Sequence, residues 1–192
     1  MIVYLDTETT GLSAARGDKI VEISIVDQEG NVLIDTLVNP ERYIPSQASN
    51  IHNISDSMVL DAPVLEDLLP EINRHVKGRD VVIYNSAYDT MFFPDKLVSS
   101  NKIYCAMKEF TSHIGRTRWV KLTEAAKHVG HIWTGKAHRS LADTLATRSV
   151  WIWMNPKYDT KIKLCKCGTR LRVPNKTGIK YTCPKCNCVS NA

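Results

Sequence analysis

The sequence of 192 residues lacks a long hydrophobic run. A membrane-spanning helix needs about 18 or more consecutive apolar residues, and no such stretch is present, so we expect no membrane partner. The chain begins Met-Ile-Val-Tyr-Leu-Asp and lacks the basic segment that opens a secretory signal. We therefore expect a cytoplasmic protein. Repeats and low-complexity segments are also missing, while 43% hydrophobic residues suffice to bury a core.

Acidic residues are nearly absent from residues 155–192. This segment holds nine lysines and arginines against the single acid Asp159, a net charge of +8, whereas residues 1–154 carry −3. It also holds five of the six cysteines. Pro156 cannot continue a preceding helix, so we divide the chain into a domain at 1–154 and a linker with a basic tail at 155–192. The charge indicates a polyanionic partner; a lysine-rich solvated surface is the alternative.

The spacing of apolar residues in the first 154 positions predicts an α/β fold, a mixed sheet with flanking helices. Three β-rich segments, of which the second and third are joined by a tight turn, read as an antiparallel meander, and later strands alternate with helices. The predicted strands are 2–5, 20–26, 32–38, 81–84 and 103–105, and the predicted helices are 64–76, 122–129 and 140–154, with a helical start at 89–97.

Two carboxylates end the first predicted strand. Asp6 and Glu8 are separated by one residue, and alternate residues of a strand project from the same face. Charge beside buried apolar residues is costly unless it is paired or bound to a cation. A metal site is therefore one interpretation, and a solvent-facing strand end is the other.

Two further acids and a histidine occupy comparable positions. Asp89 follows the buried strand 81–84, where it would also serve as a helix N-cap. Asp143 lies one turn into the last helix of the domain, where the helix dipole favours an acid. His138 precedes that helix in a loop. Taken singly, each residue has a structural explanation.

Taken together, three motifs resemble the DEDDh family of 3′→5′ exonucleases. They are Asp-x-Glu-Thr-Thr-Gly-Leu at 6–12, Tyr-Asn-Ser-Ala-Tyr-Asp at 84–89 and His-Arg-Ser-Leu-Ala-Asp at 138–143. The connecting segment 51–63 is also similar, and the resemblance covers roughly residues 1–154. It implies an RNase H-like sheet and hydrolysis of nucleic acid from the 3′ end, with DNA favoured over RNA.

The resemblance also implies a role for each residue. Asp6, Glu8 and Asp143 would hold one divalent ion, Asp6 would bridge to a second, and Asp89 would support the second site. Carboxylate ligands suit Mg²⁺ or Mn²⁺, and two such ions can clamp the attacking and leaving oxygens of a phosphoryl displacement. His138 would be the general base, since histidine titrates near neutral pH.

Substrate contacts follow from the same resemblance. The residues implied are Thr7, Leu12, His52 and Asn85. Leu12 would wedge against the terminal base, and backbone amides near Thr7 would receive the 3′-hydroxyl. His52 would contact substrate, with a structural imidazole as the alternative. The second motif departs from the common family pattern, because Tyr84 replaces a histidine and the order of Ser86 and Ala87 is reversed.

The tail carries a zinc signal. Cys165-Lys-Cys167 and Cys183-Pro-Lys-Cys186 enclose two alternating segments, 171–173 and 179–181, that predict a small hairpin. Paired cysteines around such an insert are typical of a zinc ribbon with one structural Zn²⁺. The first pair is spaced by one residue rather than two, so Cys188 is an alternative ligand. Cys105 lies in an apolar strand and is expected in the core.

The sequence leaves three functions to distinguish. An active DNA exonuclease is favoured because all four carboxylates and His138 are present. The alternatives are an exonuclease that trims RNA or short oligonucleotides, and a catalytically silent module that binds nucleic acid or a protein. The tail is expected to hold nucleic acid, and a protein partner for it is the alternative.

Overall fold

The computed structural model describes residues 1–95, 97 and 99–191. Its main sheet has five strands in the order β3-β2-β1-β4-β5. The meander consists of β1 (Ile2–Thr9), β2 (Ile20–Asp27) and β3 (Val32–Leu37), and β4 (Asp80–Ile83) and β5 (Lys102–Cys105) continue the sheet. Strands β1, β2 and β3 pair antiparallel, whereas β1–β4 and β4–β5 pair in parallel. The predicted mixed sheet is confirmed.

Helices cover both faces of the sheet, which explains why its central strands are apolar on both sides. One face packs against α3 (Leu65–Val76) through Ile72 and Val76. The other face packs against α5 (Ala106–His113), α6 (Leu122–His128) and α7 (Ser140–Met154). Tyr4 of β1 and Val82 of β4 are register partners on this second face.

Two short helices close one end of the sheet. They are α1 (Ser46–His52) and α2 (Asp56–Val59), and they bury a third apolar cluster around Val21 of β2. A further short helix, α4 (Ser86–Asp89), follows β4 directly. No helix among the described residues is both long and apolar enough to cross a membrane.

The tail forms two small hairpins. Strand β6 (Thr160–Leu164) pairs with β7 (Arg170–Pro174), and β8 (Lys180–Thr182) pairs with β9 (Val189–Asn191). The tail contacts the rest of the chain at the β2–β3 turn, where Thr160 hydrogen-bonds Gln28 at 2.7 Å and Arg172 pairs with Glu29 at 2.7 Å.

Several predicted elements need correction. The prediction of a hairpin between 171–173 and 179–181 is wrong, because β7 pairs with β6 and β8 pairs with β9. The helical start expected over 89–97 is wrong: helix α4 ends at Asp89, and only the 3₁₀ turn Thr90–Phe92 follows it. Lys96 lies outside the described residues. Helices α1 and α5 and strand β6 were not predicted, since their short segments carry too few apolar residues for a clear period.

Candidate active site

Three of the predicted carboxylates come together above the sheet. Asp6 and Glu8 project from β1 on the same face as Tyr4, which is the face that α7 covers. Asp143 approaches from the first turn of α7. One oxygen from each of these three residues lies within 4.8 Å of the others. Residues 137 positions apart in the chain therefore share one site because α7 packs on β1.

The fourth carboxylate is held beside this group. Asp89 is buried at the end of α4 and accepts two hydrogen bonds through Oδ1, from the Thr7 amide at 3.2 Å and the Thr7 hydroxyl at 2.8 Å. Its side chain forms no cap hydrogen bond, so the N-cap alternative is not observed. Thr7 therefore positions Asp89, with its own amide already engaged.

Crowding of like charges in a buried place raises the pKa of every carboxyl group here. Burial is the largest cause for Asp6, whose pKa lies well above its usual value, followed by the charges of Asp89, Asp143 and Glu8. Burial likewise raises the pKa of Glu8 to about 8, of Asp89 to about 7 and of Asp143 to about 6. Such a group is stable in its ionised form only beside positive charge.

The donor set fits hard divalent cations. All the converging ligands are carboxylate oxygens, which Mg²⁺ and Mn²⁺ prefer over nitrogen or sulfur. The repulsion between Asp6, Glu8 and Asp143 at separations within 4.8 Å is the kind that a bound cation relieves.

A fifth carboxylate, which sequence reasoning missed, organises the loop before α7. Glu22 of β2 is buried and is the register partner of Glu8. Its carboxylate accepts bonds from the Arg139 guanidinium, with Nε at 3.0 and 3.1 Å from the two oxygens, and from the Ser140 amide at 2.8 Å. Glu22 therefore caps α7 and fixes Arg139. An acid inside the β-branched run 20–26 was the available signal.

His138 directly precedes Arg139, the partner of Glu22. Its side chain is exposed, and its backbone adopts a positive φ of 63°. The His138 amide donates to Asp143 Oδ1 at 3.2 Å, so the capping alternative for Asp143 is observed alongside its place in the carboxylate group. Asp143 and the neighbouring Glu22–Arg139 pair both anchor the backbone of this segment next to the carboxylates, and the His138 side chain extends from it into solvent.

An apolar cavity of about 350 Å³ opens beside Glu8. Its walls include Leu12, Ile51 and His52, and the Leu12 side chain is 81% exposed. The Leu12 turn is fixed by Gly11, where a Cβ atom would lie 2.4 Å from Asp18 Oδ2. Only glycine permits this close approach.

His52 contributes a polar edge to the cavity. Its Nδ1 accepts the Ile54 amide at 3.0 Å, so the neutral ring carries its proton on Nε2. Burial lowers its pKa, with a smaller opposing effect from the Thr9 carbonyl. Nε2 is buried and has no partner of normal hydrogen-bond geometry among the described residues. His52 therefore has the structural role: its ring lines the cavity, and its Nε2 atom is buried.

The remaining motif residues lie away from the cavity. Asn85 is the half-buried N-cap residue of α4, and its side chain forms no hydrogen bond with the described residues. Tyr84, which replaces a histidine, is buried in the core, where its hydroxyl donates to the Val120 carbonyl at 2.7 Å.

The tail cysteines form a second cluster. Sulfur atoms of Cys165, Cys167, Cys183 and Cys186 lie within 4.8 Å of one another, and their thiols are free. Four sulfurs around tetrahedral zinc are about 3.8 Å apart, close to the 3.7 Å between Cys167 and Cys183 and the 3.5 Å between Cys165 and Cys186. Cys188 also lies 3.0 Å from Cys165, so a fifth thiol borders this cluster.

Known proteins share the fold and the sequence pattern. The family model described as Exonuclease, RNase_T, matches residues 3–150. The chain belongs to the exonuclease family. Uncharacterized exonuclease CP81 of Escherichia phage 186 is 35% identical over 172 residues, covering 77% of this chain and 84% of that protein. This exonuclease domain is therefore a nuclease-type hydrolase.

Two further likenesses cover most of the domain. The solved structure titled "Exonuclease X in complex with 5' overhanging duplex DNA" matches with a TM-score of 0.66 and 28% identity, over 82% of this chain and 92% of that one. PolC-type DNA polymerase III of Clostridium perfringens is 31% identical over 156 residues, which cover 77% of this chain but only 11% of the polymerase. The RNase H-like architecture implied by the motifs is confirmed.

Proposed function

We propose that this exonuclease domain releases nucleoside 5′-monophosphates from the 3′ ends of DNA. The observation that supports this most directly is the convergence of Asp6, Glu8 and Asp143 within 4.8 Å, with Asp89 buried alongside. The raised pKa values of the four carboxyl groups favour a metal-binding catalytic site over a silent module, because perturbed pKa values cluster at functional sites.

The carboxylates would hold two Mg²⁺ or Mn²⁺ ions. Asp6, Glu8 and Asp143 would bind one, and Asp6 with Asp89 the other. Ions bound there would neutralise the negative charge that develops on the phosphate during hydrolysis. Thr7 keeps Asp89 oriented through its amide and hydroxyl, so the ligand set is ordered by hydrogen bonds within the chain.

His138 would act as the general base. An imidazole nitrogen takes the proton of the attacking water, and the exposed position of the ring at the rim lets that proton pass to solvent. Bonds from the His138 and Ser140 amides to Asp143 and Glu22 fix the backbone from which the ring would act.

The apolar cavity would receive the terminal nucleoside. Leu12 offers an exposed apolar surface to the base, and the His52 ring, which lines the same cavity, would contact the nucleoside there. The likeness to the structure of Exonuclease X in complex with 5′ overhanging duplex DNA supports DNA as substrate. RNA trimming is the second candidate, since a 2′-hydroxyl contact distinguishes the two.

Digestion of end-labelled strands tests this function. Of single- and double-stranded DNA and RNA carrying a 3′ label, the DNA strands should lose that label first, as a mononucleotide, with Mg²⁺ or Mn²⁺ and not with EDTA, whereas faster loss from RNA supports the second candidate. Asp6→Asn and Asp143→Asn should abolish the reaction while the far-UV circular dichroism spectrum is retained. Near-wild-type turnover by either variant contradicts the assignment of the site.

The tail would be a separate zinc-bound unit that grips nucleic acid. Its apolar cluster is small, centred on Leu171 and Val173, and a segment of this size gains its stability from metal. Cys165, Cys167, Cys183 and Cys186 would hold one Zn²⁺. We place the domain boundary at 154/155, although Tyr158 still packs on the core of the body. A protein-docking role is the alternative for the tail.

A further inference from the structure

An exposed aromatic and basic loop lies between α5 and α6. Trp119 is 69% exposed, although its neighbour Val120 is buried. Residues 114–128 contain four basic residues against the single acid Glu124, and that acid pairs with Arg116. An open groove of about 540 Å³ runs along residues 115–119 and Glu124. We call residues 115–121 the Trp119 loop.

The Trp119 loop is anchored at both ends. On one side the Arg116 amide donates to the Thr111 carbonyl of α5 at 2.9 Å. On the other, the Tyr84 hydroxyl donates to the Val120 carbonyl at 2.7 Å. A surface that is ordered before binding loses less conformational entropy when a ligand arrives. The replacement of histidine by Tyr84 in the second motif thereby supplies the bond that holds this loop.

The register of the sheet places the loop on the same face and edge as the carboxylates. Tyr4 pairs with Val82 in parallel strands, so Asp6 and Glu8 follow Tyr4 on the face from which Tyr84 projects two residues after Val82. Because β1 and β4 are parallel, their C-terminal ends lie at the same end of the sheet. The cavity at Leu12 is lined by the end of β1, by α1 and by Tyr88, which packs with the α3 face of the sheet. The Trp119 loop is bonded to Tyr84, and Val120 packs on the α7 face, from which Asp6 and Glu8 project, so the carboxylates lie on the side of the cavity that faces the loop.

We propose that the Trp119 loop binds the substrate strand on the 5′ side of the cleaved bond. This inference rests on the proposed function. With the 3′-terminal nucleoside in the Leu12 cavity, a strand that crosses the carboxylates continues toward β4 and reaches the loop. Trp119 stacks on an unpaired base, while Arg118 and Lys121, which form no ion pair among the described residues, contact phosphates. The ligand is therefore single-stranded nucleic acid of at least several nucleotides.

Binding by the full chain in EDTA tests the loop without catalysis. Stacking on an aromatic ring contributes about 1–3 kcal/mol per base, so Trp119→Leu should weaken binding of a fluorescent single strand of about 20 nucleotides by about fivefold to a hundredfold. Trp119→Tyr keeps a flat ring and should retain most of the affinity. Arg118→Ala should reduce the slope of log affinity against log salt by about 0.7. Lys77→Ala removes an exposed charge after α3, on the opposite face, and should change neither affinity nor slope.

A short substrate separates this proposal from the proposed function. Hydrolysis of the p-nitrophenyl ester of thymidine 5′-monophosphate, which cannot reach the loop, should be equal in wild type and Trp119→Leu. Equal weakening by Trp119→Leu and Trp119→Tyr, or wild-type affinity in Trp119→Leu, overturns the loop's role, and the latter result leaves a protein partner for it. A wild-type chain that binds the strand through Trp119 but hydrolyses nothing refutes the nuclease function and retains the loop.

Discussion

At the scale of single residues, the site is defined by buried carboxyl groups whose negative charges repel one another. Burial and neighbouring charge raise the pKa of Glu8 to about 8 from its ordinary value of 4.5. In the unfolded chain Glu8 ionises above pH 4.5, whereas in the folded metal-free protein it stays neutral up to about pH 8. The folded state therefore loses stability as pH rises through this interval, and the loss is complete above it.

Glu8→Gln should stabilise the metal-free protein at alkaline pH. Glutamine is neutral in both states, so the variant avoids the loss. In EDTA at pH 8 we expect its unfolding temperature to exceed that of wild type by several degrees, since about 1 kcal/mol corresponds to roughly 2–4 °C in a chain of this size. Near pH 4 the difference should vanish. Calorimetry at the two pH values measures this, and a variant less stable at pH 8 contradicts the crowding of charges.

His138→Ala should lose on the order of 10²–10⁴ in rate with little change in binding. The acid limb of the pH–rate profile should flatten, because protonation of the general base no longer limits the reaction. His113→Ala is the matched control, since His113 lies at the end of α5 against Trp153. An unchanged profile in His138→Ala assigns the proton transfer to another group.

At the scale of elements, β2 and α7 are joined by an ion pair between the buried Glu22 and the partly exposed Arg139. Glu22 receives Arg139 and the Ser140 amide, and the Ser24 hydroxyl contacts the Ser140 hydroxyl at 2.5 Å. These contacts hold the start of α7, from which Asp143 and the His138 segment extend. Glu22 is accordingly a positioning residue for the carboxylate group rather than a member of it.

Glu22→Gln should lower kcat more than it raises KM. The variant keeps an acceptor for Ser140 but loses the charge that fixes Arg139, and a small displacement of catalytic groups costs up to about 10²-fold. Glu29→Gln breaks a comparable pair with Arg172, between the β2–β3 turn and the tail. It should leave cleavage of short oligonucleotides unchanged. Steady-state kinetics on one short substrate compares the two, and equal effects refute the positioning role.

At the scale of the whole molecule, an acidic body carries a basic tail. Cys183→Ser removes a fully buried thiol from the cysteine cluster and should eliminate binding of the one Zn²⁺ proposed for that cluster, whereas Cys188→Ser should retain it. Loss of zinc should also weaken binding to long strands and reduce the salt slope by about 0.7 for each phosphate that the tail no longer neutralises. Elemental analysis and salt-dependent affinity measure both. If Cys183→Ser retains zinc while Cys188→Ser lacks it, Cys188 rather than Cys183 is the zinc ligand.

Strong local patterns were enough to predict much of this molecule. The strand and helix periods of β1, β2, β4 and α7 indicated the mixed sheet, because a buried element repeats its apolar residues at the spacing of its own geometry. The three motifs indicated the carboxylates, and Asp6, Glu8 and Asp143 do converge. The cysteine spacing indicated the four thiols that cluster in the tail.

Pairing across long distances was decided by tertiary structure alone. The partner of β7 is β6 rather than β8, and no local property of alternating residues selects between two such partners. Glu22 looks like an ordinary strand residue until α7 packs on β2 and brings Arg139 to it. Trp119 likewise looks like a core residue in the sequence; the buried Val120 and its bond to Tyr84 fix the loop that leaves it exposed. Sequence specified which side chains are candidate metal ligands, and packing specified which of them meet.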